Sequence, residues 1–177
     1  MQLGEVLAIP WLLPGLGASL VMALLLGGPV QRTLRTGPLL GRALIVSLGI
    51  ILSATLTPSR EAIDFGATGI RACDLSRIGL VPVRELLRIS DTSLNILMFV
   101  PLGVAIGLVP WSRRKAALVV AAIALPFAIE TIQLLVPQLD RACESADVVD
   151  NLTGLALGLV GGVVAGRLTR ALDRRPR

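Results

Sequence analysis

Residues 116–136 read AALVVAAIALPFAIETIQLLV, twenty-one positions with a single ionisable side chain, Glu130. A hydrocarbon core about 30 Å thick takes roughly 20 residues of helix to cross, so the window is long enough to span a bilayer. It offers no polar face of the kind a soluble helix turns to water. Four more windows share this character: 6–26, 40–56, 94–109 and 151–168. In lipid every backbone polar group must be satisfied within the segment, which leaves the helix as the simple solution for windows of this length. The predicted fold class is therefore all-α, a polytopic bundle of about five transmembrane helices in one integral membrane domain over residues 1–177. Composition agrees, with 54% hydrophobic and 16% charged residues against roughly 25% charged in soluble domains. Mean hydropathy is +0.79.

Orientation follows from the charges between the windows. Arg32, Arg35 and Arg42 follow the first window, Arg113, Arg114 and Lys115 the third, and Arg167, Arg170, Arg174, Arg175 and Arg177 stand in the tail. The alternate connections are balanced or acidic: five Arg meet five acids over 58–93, and Arg141 meets four acids over 137–150. Positive charge gathers on the cytoplasmic side of a membrane protein. The expectation is a multi-pass membrane protein, N-terminus outside and C-terminus cytoplasmic. The first window has no Lys or Arg before it and exceeds a signal-peptide core in length, so it is expected to stay as a helix.

Cys73 and Cys143 both fall in connections that this topology puts outside, where paired thiols are oxidised. A disulfide between them would fasten the long outer connection to the short one, and the alternative is two unpaired small residues. Within the long connection, VPVRELLRIS sets Val83, Leu86 and Leu87 against Arg84 and Arg88. That is the pattern of a short extracytoplasmic amphipathic helix, lying in the interface or capping the bundle.

The topology also predicts depth. Asp91 and Asn95 lie one turn apart near the outer end of the third window. Glu130 falls about 9 Å inside the end of the fourth window at 1.5 Å per residue, with Gln133 on the same face. Asp147, Asp150 and Asn151 open the fifth. Polar groups at such depth face the bundle or a wet cavity, and two readings stand for them: a functional site, or a satisfied network that fixes helix packing. Glu144, Asp147 and Asp150, three apart, have the oxygen chemistry to hold a hard cation or to complement the amides at a helix start, with Asp147 or Asp150 as N-cap. The capping reading is preferred and no metal is expected. Below them Gly154, Gly158, Gly162 and Gly166 recur every fourth residue, a face that lets another helix backbone come close. Pro101 and Pro126 each free a carbonyl one turn earlier, shaping a cavity or only a bend.

Some chemistries are excluded outright. Without His there is no Ser-His-Asp triad and no HExxH zinc site. No phosphate loop or dinucleotide fingerprint is present, and no cofactor is expected. The net charge of +5 and pI near 10.9 come from membrane flanks with few aromatic neighbours, so no nucleic acid is expected as a partner.

Taken in order, Asn95-x-x-x-Phe99-x-Pro101-Leu102-Gly103, Glu130-x-x-Gln133, and Arg141 followed by Asp147, Asn151 and Gly154 resemble the sequential motifs of VanZ-like membrane proteins. The motifs lie within 91–162; the first two windows and the long connection carry none. Two departures stand out, Ala146 where many members have a second acid and Asp150 beside Asn151. The resemblance implies a small bacterial membrane protein, in a family whose namesake is associated with reduced susceptibility to the glycopeptide teicoplanin. It implies a polar site of Asn95, Glu130, Gln133, Arg141, Asp147 and Asn151. The expected partners are the bilayer and an envelope lipid or cell-wall precursor, the site being an outward-facing one for such a headgroup. The alternatives are a non-enzymatic structural or partner-binding subunit, held together by the same groups, and a small transporter built on Glu130 and the broken helices.

Overall fold

The computed structural model describes residues 11–67, 72–80, 82 and 90–173. The VPVRELLRIS helix falls almost wholly on 83–89, outside the described residues. Five helices in the described residues are long and apolar enough to cross a membrane. They are α1 (Leu12–Leu34), α2 (Pro38–Thr55), α4 (Asp91–Leu108), α5 (Arg113–Leu135) and α6 (Ser145–Asp173). A short helix, α3 (Arg60–Phe65), and two two-residue strands, β1 (Cys73–Asp74) and β2 (Cys143–Glu144), fill the connections at one end. Large apolar side chains such as Leu24, Val120, Leu157 and Val160 stand exposed around the bundle. An exposed apolar belt on every long helix suits lipid as solvent, and the chain is a multi-pass membrane protein.

The helices outrun the apolar windows at their polar ends. α1 continues through Pro29 to Leu34 and stops at Arg35, whose left-handed φ of 53° closes the helix. α4 begins three residues before its window because Ser90 and Ser93 form a reciprocal capping box. Ser112 caps α5 by a one-way bond, accepting from Lys115 N at 3.2 Å. α6 opens at Ser145, so Asp147 lies in its first turn and Asp150 in its second. Neither is the N-cap that their spacing suggested.

Two helix pairs build the bundle, and both meet through small residues. α4 and α6 pack most extensively: a Cβ on Gly107 would come within 2.6 Å of Leu159 O and 2.8 Å of Gly162 Cα, and one on Gly158 within 2.9 Å of Gly103 Cα. Gly154 faces the Ile96 carbonyl in the same seam. The obstacles are backbone, which has no rotamer to give way, so the ladder over Gly154, Gly158 and Gly162 sets the approach of α6 to α4. Gly166, where an added Cβ would meet only the flexible Leu108 and Arg170 side chains at 3.5 Å or more, lies past the close seam. In the α1–α2 pair Gly15 faces Ser53 and Gly49 faces Ser19. Each serine hydroxyl donates to its own helix one turn back, Ser19 to Gly15 O and Ser53 to Gly49 O, both at 2.6 Å. The hydroxyls thereby need nothing across the interface. A core of Ile51, Phe99, Ile106, Ile129 and Leu155 joins the pairs, with α5 seated chiefly against α6.

The two ends differ in chemistry. The connections holding Cys73 and Cys143 lie together at one end, where β1 and β2 pair in parallel with Cys73 opposite Cys143 and Asp74 opposite Glu144. The cysteines are joined as a disulfide with Cα atoms 4.5 Å apart. Ser59 N donates to Leu139 O at 2.9 Å, a second tie between the same connections. At the other end Arg114 donates to Thr33 O, joining the start of α5 to the last turn of α1.

Candidate functional site

The disulfide end contains a cavity of about 640 Å³ between α1, α2, α4, α5 and the segment entering α6. Its lining is graded. Asp91 and Asn95 from the start of α4, Gln133 from α5, and Arg141, Glu144 and Asp147 from the α5–α6 connection make the outer part polar. Deeper, the walls are Ile50 and Ser47 of α2 and Leu97, Met98 and Pro101 of α4. From Asp91 to Pro101 is about 15 Å along the helix, so the cavity runs from the membrane surface toward its middle. The proline deprives the Leu97 carbonyl of its usual donor where α4 lines the cavity.

The six residues expected to form one polar site divide into two layers. Asn95, Gln133, Arg141 and Asp147 line the cavity. Glu130 is 6% exposed and sits behind the wall, its Oε2 accepting from Glu144 N at 2.8 Å. That bond holds β2 against α5 and sets the position from which Glu144 and Asp147 face the cavity. Asn151 is 1% exposed on α6, and its Oδ1 has no hydrogen-bond partner among the described residues.

Gln133 reaches sideways to the first half of the chain. Its Nε2 donates to Thr55 O at 3.0 Å, so the amide orientation is set by that carbonyl. Its Oε1 is then left buried in the lining of the cavity without a partner among the described residues. A buried unmet acceptor costs about 1–3 kcal/mol. Arg141 donates through Nε to Thr57 O at 3.2 Å. Both contacts land on backbone carbonyls at the end of α2 or just past it, a helix in which the sequence shows no motif.

The acids outnumber the bases at the mouth. Asp147 lies within electrostatic reach of Glu144, Asp150 and Asp91, and Glu130 within reach of Asp147 and Glu144. Asp150 is taken out of this group by Arg77, with which it forms an ion pair; Asp150 is 2% and Arg77 31% exposed. Arg77 also donates to Ala146 O at 3.3 Å, and Ser145 Oγ to Arg77 O at 2.8 Å. The long connection thus clamps the first turns of α6. Asp74 accepts from Ser76 N at 2.8 Å, which holds its carboxyl below the ordinary range and ties its charge down locally. Among the described residues no group of three or more Cys, Asp or Glu is arranged to hold a metal ion.

Sequence reading missed Arg77, Ser47, Thr55 and Thr57. Asp91 and Glu144 carried a signal as acids flanking the motifs, whereas the α2 contributions are largely backbone carbonyls, which no side-chain pattern advertises.

No curated protein and no solved structure matches the chain. The family model described as VanZ/LLP1 matches residues 44–165, running from α2 into the second half of α6 and so taking in every site residue named above. With this match over most of its length, the chain belongs to the VanZ/LLP1 family.

Proposed function

We propose that this VanZ-family protein lies in the bacterial plasma membrane with its disulfide end outside, and that its graded cavity binds the polar headgroup of an outer-leaflet amphiphile, a lipid or a lipid-borne cell-wall precursor. Arg-rich connections on the opposite face support the orientation, as does a disulfide that needs an oxidising compartment. One observation carries the binding reading: a single cavity is lined by Asp91, Asn95, Arg141, Glu144 and Asp147 at the disulfide end and, further along α2 and α4, mainly by the apolar Ile50, Leu97, Met98 and Pro101. That gradient matches a molecule with a hydrophilic head and a hydrocarbon tail, and suits neither a soluble metabolite nor a bare ion.

The roles follow from the chemistry. Arg141 meets an anionic group of the head. Asp91, Glu144, Asp147 and the unmet Gln133 Oε1 accept from its hydroxyls or amines. Glu130 is a positioning residue acting through the Glu144 backbone. The test is native mass spectrometry of the purified full-length protein mixed with envelope lipid extract. Asp147→Asn and Asn95→Ala should each lower occupancy by the bound amphiphile about tenfold, the loss of one charge-assisted or buried hydrogen bond, with an unchanged melting temperature. In cells the same variants should raise teicoplanin susceptibility at constant protein abundance, if the role of the family's namesake extends to this chain. Wild-type occupancy in both variants would falsify the assignment.

A second reading has its own support. The Glu130–Glu144, Gln133–Thr55 and Arg141–Thr57 bonds each tie one element to another, as expected of a structural or partner-binding subunit. In that case phenotype and abundance fall together in every variant, and gentle detergent extraction recovers a protein partner.

A further inference from the structure

At the Arg-rich end a second cavity, of about 430 Å³, opens where the last turns of α4 and α6 meet the first turns of α5. Lys115, Arg167 and Arg170 line it together with Trp111, and among the described residues no acidic side chain does. Val119, Leu159 and Val163 form its apolar wall.

The cations are held by the fold. Lys115 is 5% exposed, and its Nζ donates to Gly107 O at 2.8 Å and to Val109 O at 3.0 Å. These carbonyls lie at the end of α4, where a helix lacks onward donors and its dipole favours positive charge. An ammonium has three N–H groups, so one remains after these two bonds. Trp111 stands with its ring centroid 5.9 Å from Nζ and is 84% exposed, the place of an interfacial aromatic. Arg170 is oriented by a 2.6 Å bond from Nε to Gly166 O, which leaves its terminal nitrogens for another acceptor. Three positive groups gathered with no acid among the described lining residues repel one another and form a field that an anion relieves.

We propose that this cavity binds an anionic phospholipid, with its phosphate among Lys115, Arg167 and Arg170 and an acyl chain along Val119, Leu159 and Val163. A basic pocket between transmembrane helices is the chemistry that recognises such headgroups. The adjoining apolar wall selects a lipid over a free anion, because a soluble phosphate leaves that wall unused. The site lies at the opposite end of the bundle from the amphiphile cavity and does not depend on the function proposed for it.

The test uses full-length protein in detergent, titrated separately with phosphatidylglycerol and phosphatidylcholine and read by native mass spectrometry. Phosphatidylglycerol should bind at least about tenfold more tightly than phosphatidylcholine, and Arg167→Gln/Arg170→Gln should remove that preference, given the strength of a basic residue for an anionic headgroup. Both arginines are exposed, so the melting temperature should hold. Val119→Trp, which fills the apolar arm without changing charge, should weaken phosphatidylglycerol binding as well. Equal affinity for the two lipids, an undiminished preference in the double variant, or displacement by equimolar inorganic phosphate would overturn the proposal.

Discussion

The two ends of the bundle bury charge in opposite ways. At the disulfide end, acids are secured by partners distant in sequence: Arg77 reaches Asp150, and the Glu144 backbone reaches Glu130. A disulfide and a parallel bridge hold those partners in place. At the Arg-rich end Lys115 is secured by carbonyls only six and eight residues away, at a helix terminus that supplies the needed polarity itself. The first arrangement needs tertiary structure to exist, whereas the second needs little more than two helices and a short turn. Burial of charge at one end is therefore cooperative with the fold of the connections, and at the other it is local.

This difference is open to attack from both sides. Replacing both cysteines by serine should have the largest effect, a loss of about 2–4 kcal/mol for a bridge closing so long a loop. It is read as a fall in thermal stability in detergent that reductant reproduces on the wild type; if reductant left the wild type unchanged, the connections would be self-sufficient. Arg77→Ala should follow, at about 2–3 kcal/mol, because it strands the Asp150 carboxylate in the interior; the partial exposure of Arg77 keeps the figure below that of a fully buried pair. Asp150→Asn placed on that background should recover part of the loss, and no recovery would mean that Arg77 acts through its other contacts.

Lys115→Met comes next, with about 1–2 kcal/mol expected from two carbonyls losing a charged donor. In keeping with local burial, its effect should be additive with the cysteine substitutions. Strong coupling between the two would erase the distinction between the ends. Smallest is Arg167→Gln, an exposed change expected to move stability by less than about 0.5 kcal/mol.

Much of this architecture is legible in the sequence because it rests on long, repeated signals. Five apolar windows mark five helices, and the ladder of Gly154, Gly158 and Gly162 marks a close helix contact. The matching Gly15-x-x-x-Ser19 and Gly49-x-x-x-Ser53 of the α1–α2 pair carry the same spacing more faintly, since serine also reads as a surface residue. What the sequence hides are contacts with no local pattern. Arg77 is one arginine among five in a long connection and declares no partner 73 residues away. Gln133 and Arg141 are conspicuous, but the groups they bind on the α2 side are main-chain carbonyls. Of the cavity's polar lining, Asn95, Gln133, Arg141 and Asp147 stand in the sequence motifs and Ser47 and Thr55 do not; the division into lining and supporting layer required the fold.

The central claim is that the acidic, outward cavity is a binding site for an amphiphile and not only a product of packing. The most direct measurement is a structure of the full-length protein determined in lipid extracted from its own envelope. The account predicts a headgroup contacting Arg141, Asp147 and Gln133 Oε1, with its tail running past Met98 toward Pro101. A cavity holding only water, with Gln133 Oε1 satisfied by it while lipid is ordered elsewhere on the bundle, would contradict it.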